Sequence, residues 1–217
     1  MIGAFDQLID RQVEQRKACR GRPPRKRELR PLGVRKMPVA LVEGFEQLLL
    51  AYGEAARPEH DPDGPTELVH WTAIRLRDGA TFDAVLKPSG GVPSAVRLRH
   101  LGLSAEEVGA GITLPELKQR WLEFVQPTDL LAAWNSRTLD LFAGCLELPP
   151  SGIGLKGVYR RLRGVDGNLD DVLAREAAAE LPKAWQRGLA VVRGRAQLRL
   201  ANALRIVFFL RQLAFGE

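Results

Sequence analysis

The sequence predicts an α/β fold, a mixed sheet with helices packed on it, carried behind a strongly basic N-terminal arm. Three observations predict it. Two strand-like runs, Leu68–Leu76 and Thr81–Leu86, are separated by Arg77-Asp78-Gly79-Ala80, whose Asp-Gly pair favours a tight hairpin. Farther along, Leu130-Leu-Ala-Ala-Trp134 is a short apolar run that reads as a buried strand among segments of helical periodicity. Ahead of all of them, between Arg16 and Lys36, ten basic residues stand against one acid, Glu28.

A chain of 217 residues that is 45% hydrophobic fills a real core, which argues against disorder throughout. Cys19 and Cys145 form neither a CxxC pair nor a dense framework, so both read as free thiols and the expected location is cytoplasmic. Asp6 and Asp10 interrupt the start of the chain where a signal peptide would be basic and then apolar. The most apolar late segment, Ile206–Leu210, lies between Arg205 and Arg211 and is too short to span a bilayer, so no membrane partner is expected.

Taken in order, the arm comes first. Of the 32 basic and 26 acidic residues, 22 and 25 lie outside it, so positive charge is concentrated in the arm and the remainder is slightly acidic. Closely spaced cations displace counterions from phosphates, and the partner this predicts is nucleic acid. Arg20-Gly21-Arg22-Pro23, followed by Pro24-Arg25-Lys26-Arg27, resembles the core of an AT-hook. Arg20, Arg22, Arg25, Lys26 and Arg27 are the candidate contacts. The predicted division is an arm over 1–38 and a domain over 39–217.

From Val39 to Ala56 the apolar positions Val42, Phe45, Leu48, Leu49 and Tyr52 follow helical spacing and predict an amphipathic helix; a strand over Gln47–Tyr52 is the other reading. The segment Arg57–Pro65 is rich in turn formers and reads as an acidic, solvated loop in spite of Glu59, His60, Asp61 and Asp63. After the hairpin, Ser89-Gly-Gly-Val-Pro93 reads as a turn. Ser104-x-x-Glu107 and Thr113-x-x-Glu116 are capping-box patterns and predict two helix starts, the second helix running to about Phe124. Further helices are expected over Arg137–Leu146, Leu169–Ala179 and about Gln197–Leu213. The last would bury Leu200, Leu204, Val207 and Leu210 and present Arg195, Arg199, Asn202 and Arg205 near one face. His60, His70 and His100 are isolated, and His70 reads as a hydrogen-bonded structural residue.

Four segments resemble the DnaQ-like 3′–5′ exonucleases of the ribonuclease H-like fold. Glu67–Gly79 is similar to the family's second strand and following turn, and Gly111-Ile-Thr-Leu-Pro-Glu116 to its helix start. Ala133-Trp-Asn-Ser-Arg-Thr-Leu-Asp140 resembles the second motif and Gly194–Ala203 the third. The resemblance implies a ribonuclease H-like mixed sheet. It also implies a site that in the family holds two divalent cations on four carboxylates and uses a His or Tyr to manage the proton. Asp140 matches the second-motif Asp. Gln197 and Asn202 fall where His and Asp are expected, and Tyr52-Gly53-Glu54 keeps the first-motif Glu but loses its Asp. The site so implied, Glu54, Asn135, Asp140, Gln197 and Asn202, is vestigial, without an intact catalytic set, metal or cofactor.

Residues 32–52 also resemble the tail of DTW-domain tRNA-modifying proteins, although their Asp-Thr-Trp and cysteine motifs are absent here. The leading expectation is a nucleic-acid-binding pseudo-exonuclease using the arm together with Arg195, Arg199 and Arg205. DNA and RNA fit equally. The alternatives are an active exonuclease with displaced carboxylates, requiring Mg or Mn, and a module that docks on a protein partner.

Overall fold

The computed structural model describes residues 39–57, 59–60, 63–146, 152–176 and 193–215. The basic arm, its AT-hook-like segment and Leu32–Pro38 lie outside the described residues, as do Cys19, Asp61 and the expected end of the Leu169–Ala179 helix.

A short helix, α1 (Val39–Val42), and a single 3-10 turn (Phe45–Gln47) lead into β1 (Leu48–Ala56). The helix expected across Val39–Ala56 is therefore a strand over its second half. The physical reason is burial: Leu48 through Tyr52 are covered on both faces, so the run shows no alternation, and its apolar positions imitate a helical stripe. The alternative strand reading of Gln47–Tyr52 is the one the chain adopts.

The hairpin forms as predicted, with β2 (Glu67–Arg75) and β3 (Thr81–Val85) antiparallel. Gly79 takes a positive φ of 72° in the turn, and Asp78 accepts from the Ala80 amide at 2.9 Å. Next come α2 (Ala95–Leu101), α3 (Ala105–Gly109) and α4 (Leu114–Phe124). Both capping boxes are present, Ser104 with Glu107 and Thr113 with Glu116. Beyond them lie β4 (Leu130–Ala133), α5 (Ser136–Leu146), β5 (Ile153–Gly154), α6 (Leu155–Arg163), α7 (Leu169–Glu176) and α8 (Gly194–Phe215). Among these α2, β5 and α6 have no counterpart in the sequence reading.

The strand order is β3-β2-β1-β4-β5. β1 pairs antiparallel with β2 and parallel with β4, and β4 continues parallel to β5, which gives the mixed sheet expected. Helices cover both faces. On one, Leu48, Leu50 and Tyr52 pack with α6, α7 and α8; Leu200, Leu204, Val207 and Leu210 are fully buried there. On the other, Leu49, Ala51, Trp71 and Ala73 meet Leu117 and Trp121 of α4 and Phe142 and Leu146 of α5. Ile206 to Leu210 belongs to the core, and no helix among the described residues is long and apolar enough to cross a membrane.

Two polar clasps fix the ends of β2. Buried Arg75 donates to Asp129 and Asp78, each at 3.1 Å, and to the Phe124 carbonyl, tying the strand to the turn before β4. At the other end, Glu67 accepts from the Ser89 amide at 2.7 Å, the Ser89 hydroxyl at 2.8 Å and the Gly90 amide at 2.9 Å. The glycine-rich turn thus cradles an anion, and the anion is the chain's own carboxylate. These three donors hold the Glu67 carboxyl below its ordinary range, against the opposing effect of burial.

Candidate functional site

At its carboxyl end β1 changes character on one face. Tyr52 and Glu54 continue the side that packs against α8, yet one is a phenol and the other a carboxylate, and they are only 9% and 7% exposed. The glycine between them serves the opposite face. A Cβ on Gly53 would stand 2.8 Å from the Trp71 ring, which itself lies flat on Phe142 with centroids 3.8 Å apart. Tyr52-Gly53-Glu54 is therefore one packing requirement between two polar positions.

What covers those positions comes from α8. Arg195 Nε lies 3.5 Å from Glu54 Oε1, which pairs the charges without an aligned hydrogen bond. The Arg195 guanidinium also contacts the His100 imidazole of α2. One turn on, Arg199 reaches Asp170 in the first turn of α7 at 2.8 Å. Asn168 caps α7 by accepting from the Asp170 and Asp171 amides at 3.0 and 3.1 Å, and so fixes where Asp170 stands.

The electrostatics follow from this packing. Burial pushes the Tyr52 hydroxyl pKa up, neighbouring Glu54 pushes it further, and Arg199 and Arg195 oppose both. Burial lowers the His100 pKa, Arg195 and Arg97 lower it again, and Glu54 opposes. Arg97 in addition donates to the Ala55 carbonyl beside an irregularity in the β1–β2 pairing. The strand end is thus surrounded by three guanidiniums, an imidazole and two carboxylates.

The other residues singled out in the sequence are placed differently. Gln197 accepts from the Arg193 amide at 2.5 Å and so acts at the start of α8, while the Arg193 side chain bonds Glu107 at 3.0 Å. Asn202 is half-buried beyond Arg199, and Arg205 is exposed. Asn135 accepts from the Thr138 amide and hydroxyl at 3.0 and 3.3 Å, capping α5 just past the end of β4. Asp140 lies on the exposed side of α5, whose inner side is Thr138, Leu139, Phe142, Ala143 and Leu146. The structure thus brings Glu54 together with Arg195 and sets Arg199 nearby, but it gives Asp140 no contact with them. Sequence reasoning missed Tyr52, His100, Arg97 and Asp170 as members of the cluster. The Asn168-Leu-Asp170-Asp171 cap was the signal available for the last.

His70 is fully buried directly across from Glu54 in the β1–β2 pairing, and its Nε2–H donates to Asp83 at 2.7 Å, the structural bond expected of it. Among the described residues no group of three or more His, Cys, Asp or Glu is placed to hold a metal ion.

Neither protein-family models nor curated protein sequences give a match. Solved structures do. A full-length 3′-exonuclease superposes with a TM-score of 0.56 at 16% identity, covering 78% of this chain and 60% of that one. The fold is that of a 3′-exonuclease domain. The nuclease domain of 3'hExo, a DEDDh family member bound to rAMP, gives 0.53 at 16% identity over 78% of this chain and 92% of its own. A 3′-exonuclease structure described as 3′-end specific recognition of a histone mRNA stem-loop gives 0.55 at 14%, over 78% and 81%. Identities this low establish the ribonuclease H-like, exonuclease-like fold and nothing finer.

Proposed function

We propose that this chain binds nucleic acid and that its exonuclease-like domain grips a strand without hydrolysing it. The observation that carries the reading is the pairing of Glu54 with Arg195. The one carboxylate kept from the first motif is buried under a guanidinium delivered by the helix that resembles the third motif.

Two-metal hydrolysis needs concentrated negative charge to hold two cations together. The donors here do not fit that demand. Tyr52 is a phenol whose pKa is pushed further up by burial and by Glu54. Asn135, Gln197 and Asn202 are amides, and Arg195 and Arg199 each match a carboxylate with a positive charge. The same guanidiniums suit phosphate, which they bind through paired, planar donors. The basic arm would add affinity, and the RNA-related neighbours make single-stranded RNA the first probe. A second reading, docking on a protein, draws on an apolar hollow of about 430 Å³ lined by Trp121, Leu122, Leu130 and Phe142 on the face away from α8.

Fluorescence anisotropy of the full chain with labelled RNA and DNA oligonucleotides tests binding, and incubation of 5′-labelled RNA with Mg²⁺ or Mn²⁺ tests cutting. If five or six cations meet phosphates, log affinity falls against log salt with a slope of roughly −4 for single strands. Deleting residues 1–36 removes most of that slope, and no shortening of the RNA is expected. Metal-dependent shortening abolished by Glu54→Gln would restore the active-exonuclease reading, and absence of binding at low salt would favour the protein-docking one.

A further inference from the structure

A second hollow opens at the same end of the sheet, where β4 and β5 finish. It holds about 390 Å³ and is walled by Trp134, Asn135, Ser136, Lys156, Arg160 and Asp166, with Gly154 and Gly157 as its floor. In open α/β sheets ligands are held outside the carboxyl ends of parallel strands, and β1, β4 and β5 are the three parallel strands here.

The two glycines are what folding does not explain. Gly157 lies inside α6, where an alanine would favour the helix, and a Cβ there would meet nothing nearer than Arg161 Nη1 at 3.8 Å. Gly154 has an ordinary φ of −81°, and its Cβ would stand 3.9 Å from the Ser136 amide nitrogen. Neither position needs glycine for backbone strain or for space. What their bareness does is keep the hollow open and leave the Ser136 amide within reach of a bound group.

The walls set the ligand's chemistry. Lys156 and Arg160 project from α6, whose other described basic residues are Arg161 and Arg163. Asn135 uses its Oδ1 on Thr138, which leaves its NH₂ to donate. Asp166 is the one carboxylate in the wall, 3.1 Å from Lys156, but both side chains are about half exposed, so the pair is easily exchanged for another anion. Donors and cations outnumber acceptors.

We propose that this hollow takes a phosphodiester of a single nucleic-acid strand whose neighbouring residues lie along the Tyr52–Glu54–Arg195 cluster. The assignment rests on the nucleic-acid reading above. β5 is separated from β1 by β4, so the hollow and the cluster lie two strand spacings apart, roughly 10 Å. Lys156 and Arg160 form ion pairs with the bridging phosphate, and the Asn135 NH₂ and Ser136 amide hydrogen-bond its oxygens.

The test uses the full chain and a fluorescein-labelled 12-nucleotide oligouridylate. The double variant Lys156→Gln with Arg160→Gln is expected to lose about ten-fold in affinity and to reduce the salt slope by about 0.7, the share of one neutralised phosphate on a single strand. Gly157→Leu, which fills the hollow without removing a cation and favours the helix, is expected to lose affinity while its thermal midpoint stays level or rises. Wild-type binding with both variants within two-fold of it overturns the site and leaves the general nucleic-acid reading standing. No wild-type binding overturns both.

Discussion

Gly53 and Glu54 are neighbours in β1 that face opposite ways, and they are fixed by different physics. On Gly53's side lies a dry aromatic stack in which Trp71 lies flat on Phe142 and meets Trp121 edge to face. Every contact there is one of shape. On the other side Glu54, Tyr52, Arg195, Arg199 and His100 meet as charges and dipoles, partly open through α8 and α2. The stack tells how the strand is held, and the charged cluster tells what its end is suited to touch. An alignment read in one dimension treats the two positions as one motif, although only the even-numbered side of the strand carries the charged cluster.

The largest break in this comparison is expected from Gly53→Val. Its Cβ would press into Trp71 at 2.8 Å, and the stacked ring has little room to yield. Overpacking of this kind costs about 3 kcal/mol, read as a lower midpoint in chemical denaturation. Oligonucleotide affinity of the fraction that remains folded should be unchanged.

Arg195→Ala attacks the other side. It leaves Glu54 buried without its counter-charge, at a cost of about 1–3 kcal/mol, and adding Glu54→Gln should recover a good part of that. The cycle of these variants, measured by denaturation, separates charge pairing from the packing of the arginine stem. If the second substitution recovers nothing, Arg195 holds α8 in place by packing alone.

The smallest effect is expected from pH. An imidazole whose folded pKa lies below the ordinary 6.5 takes up its proton more readily when the chain is unfolded. The stability it contributes is therefore whole above about pH 6.5 and is lost as pH falls toward the folded value. His100 is exposed, so the decline should be shallow, and His100→Gln should flatten it in thermal scans between pH 7 and 5.

Local chemistry was legible in the sequence wherever a signal is confined to a few residues. The Asp78-Gly79 turn, the capping boxes at Ser104 and Thr113, and the buried positions of α8 all form as their residue types dictate. β1 was the point of ambiguity because Leu48 through Tyr52 are buried on both sides, and double burial erases the alternation by which a strand is recognised. α6 was missed because glycine at 154, 157 and 164 and a basic run obscure a helix whose buried face is only Leu155, Val158, Tyr159 and Leu162. In the candidate site, Glu54 and Arg195 could each be named, but their meeting could not. They lie on the first strand and the last helix, and no spacing in the chain encodes that distance.

That separation carries a consequence for assembly. β1 finds Ile74 of β2 after a short excursion, whereas its parallel pairing of Leu48 with Leu130 closes a loop more than three times as long, at a greater entropic cost. The cover over Glu54 comes later still along the chain, from the helix that begins at Gly194. Whatever order the rest of the chain follows, the charged end of β1 is complete only once its final helix has docked, so the surface proposed to meet a strand cannot exist on a partly assembled chain.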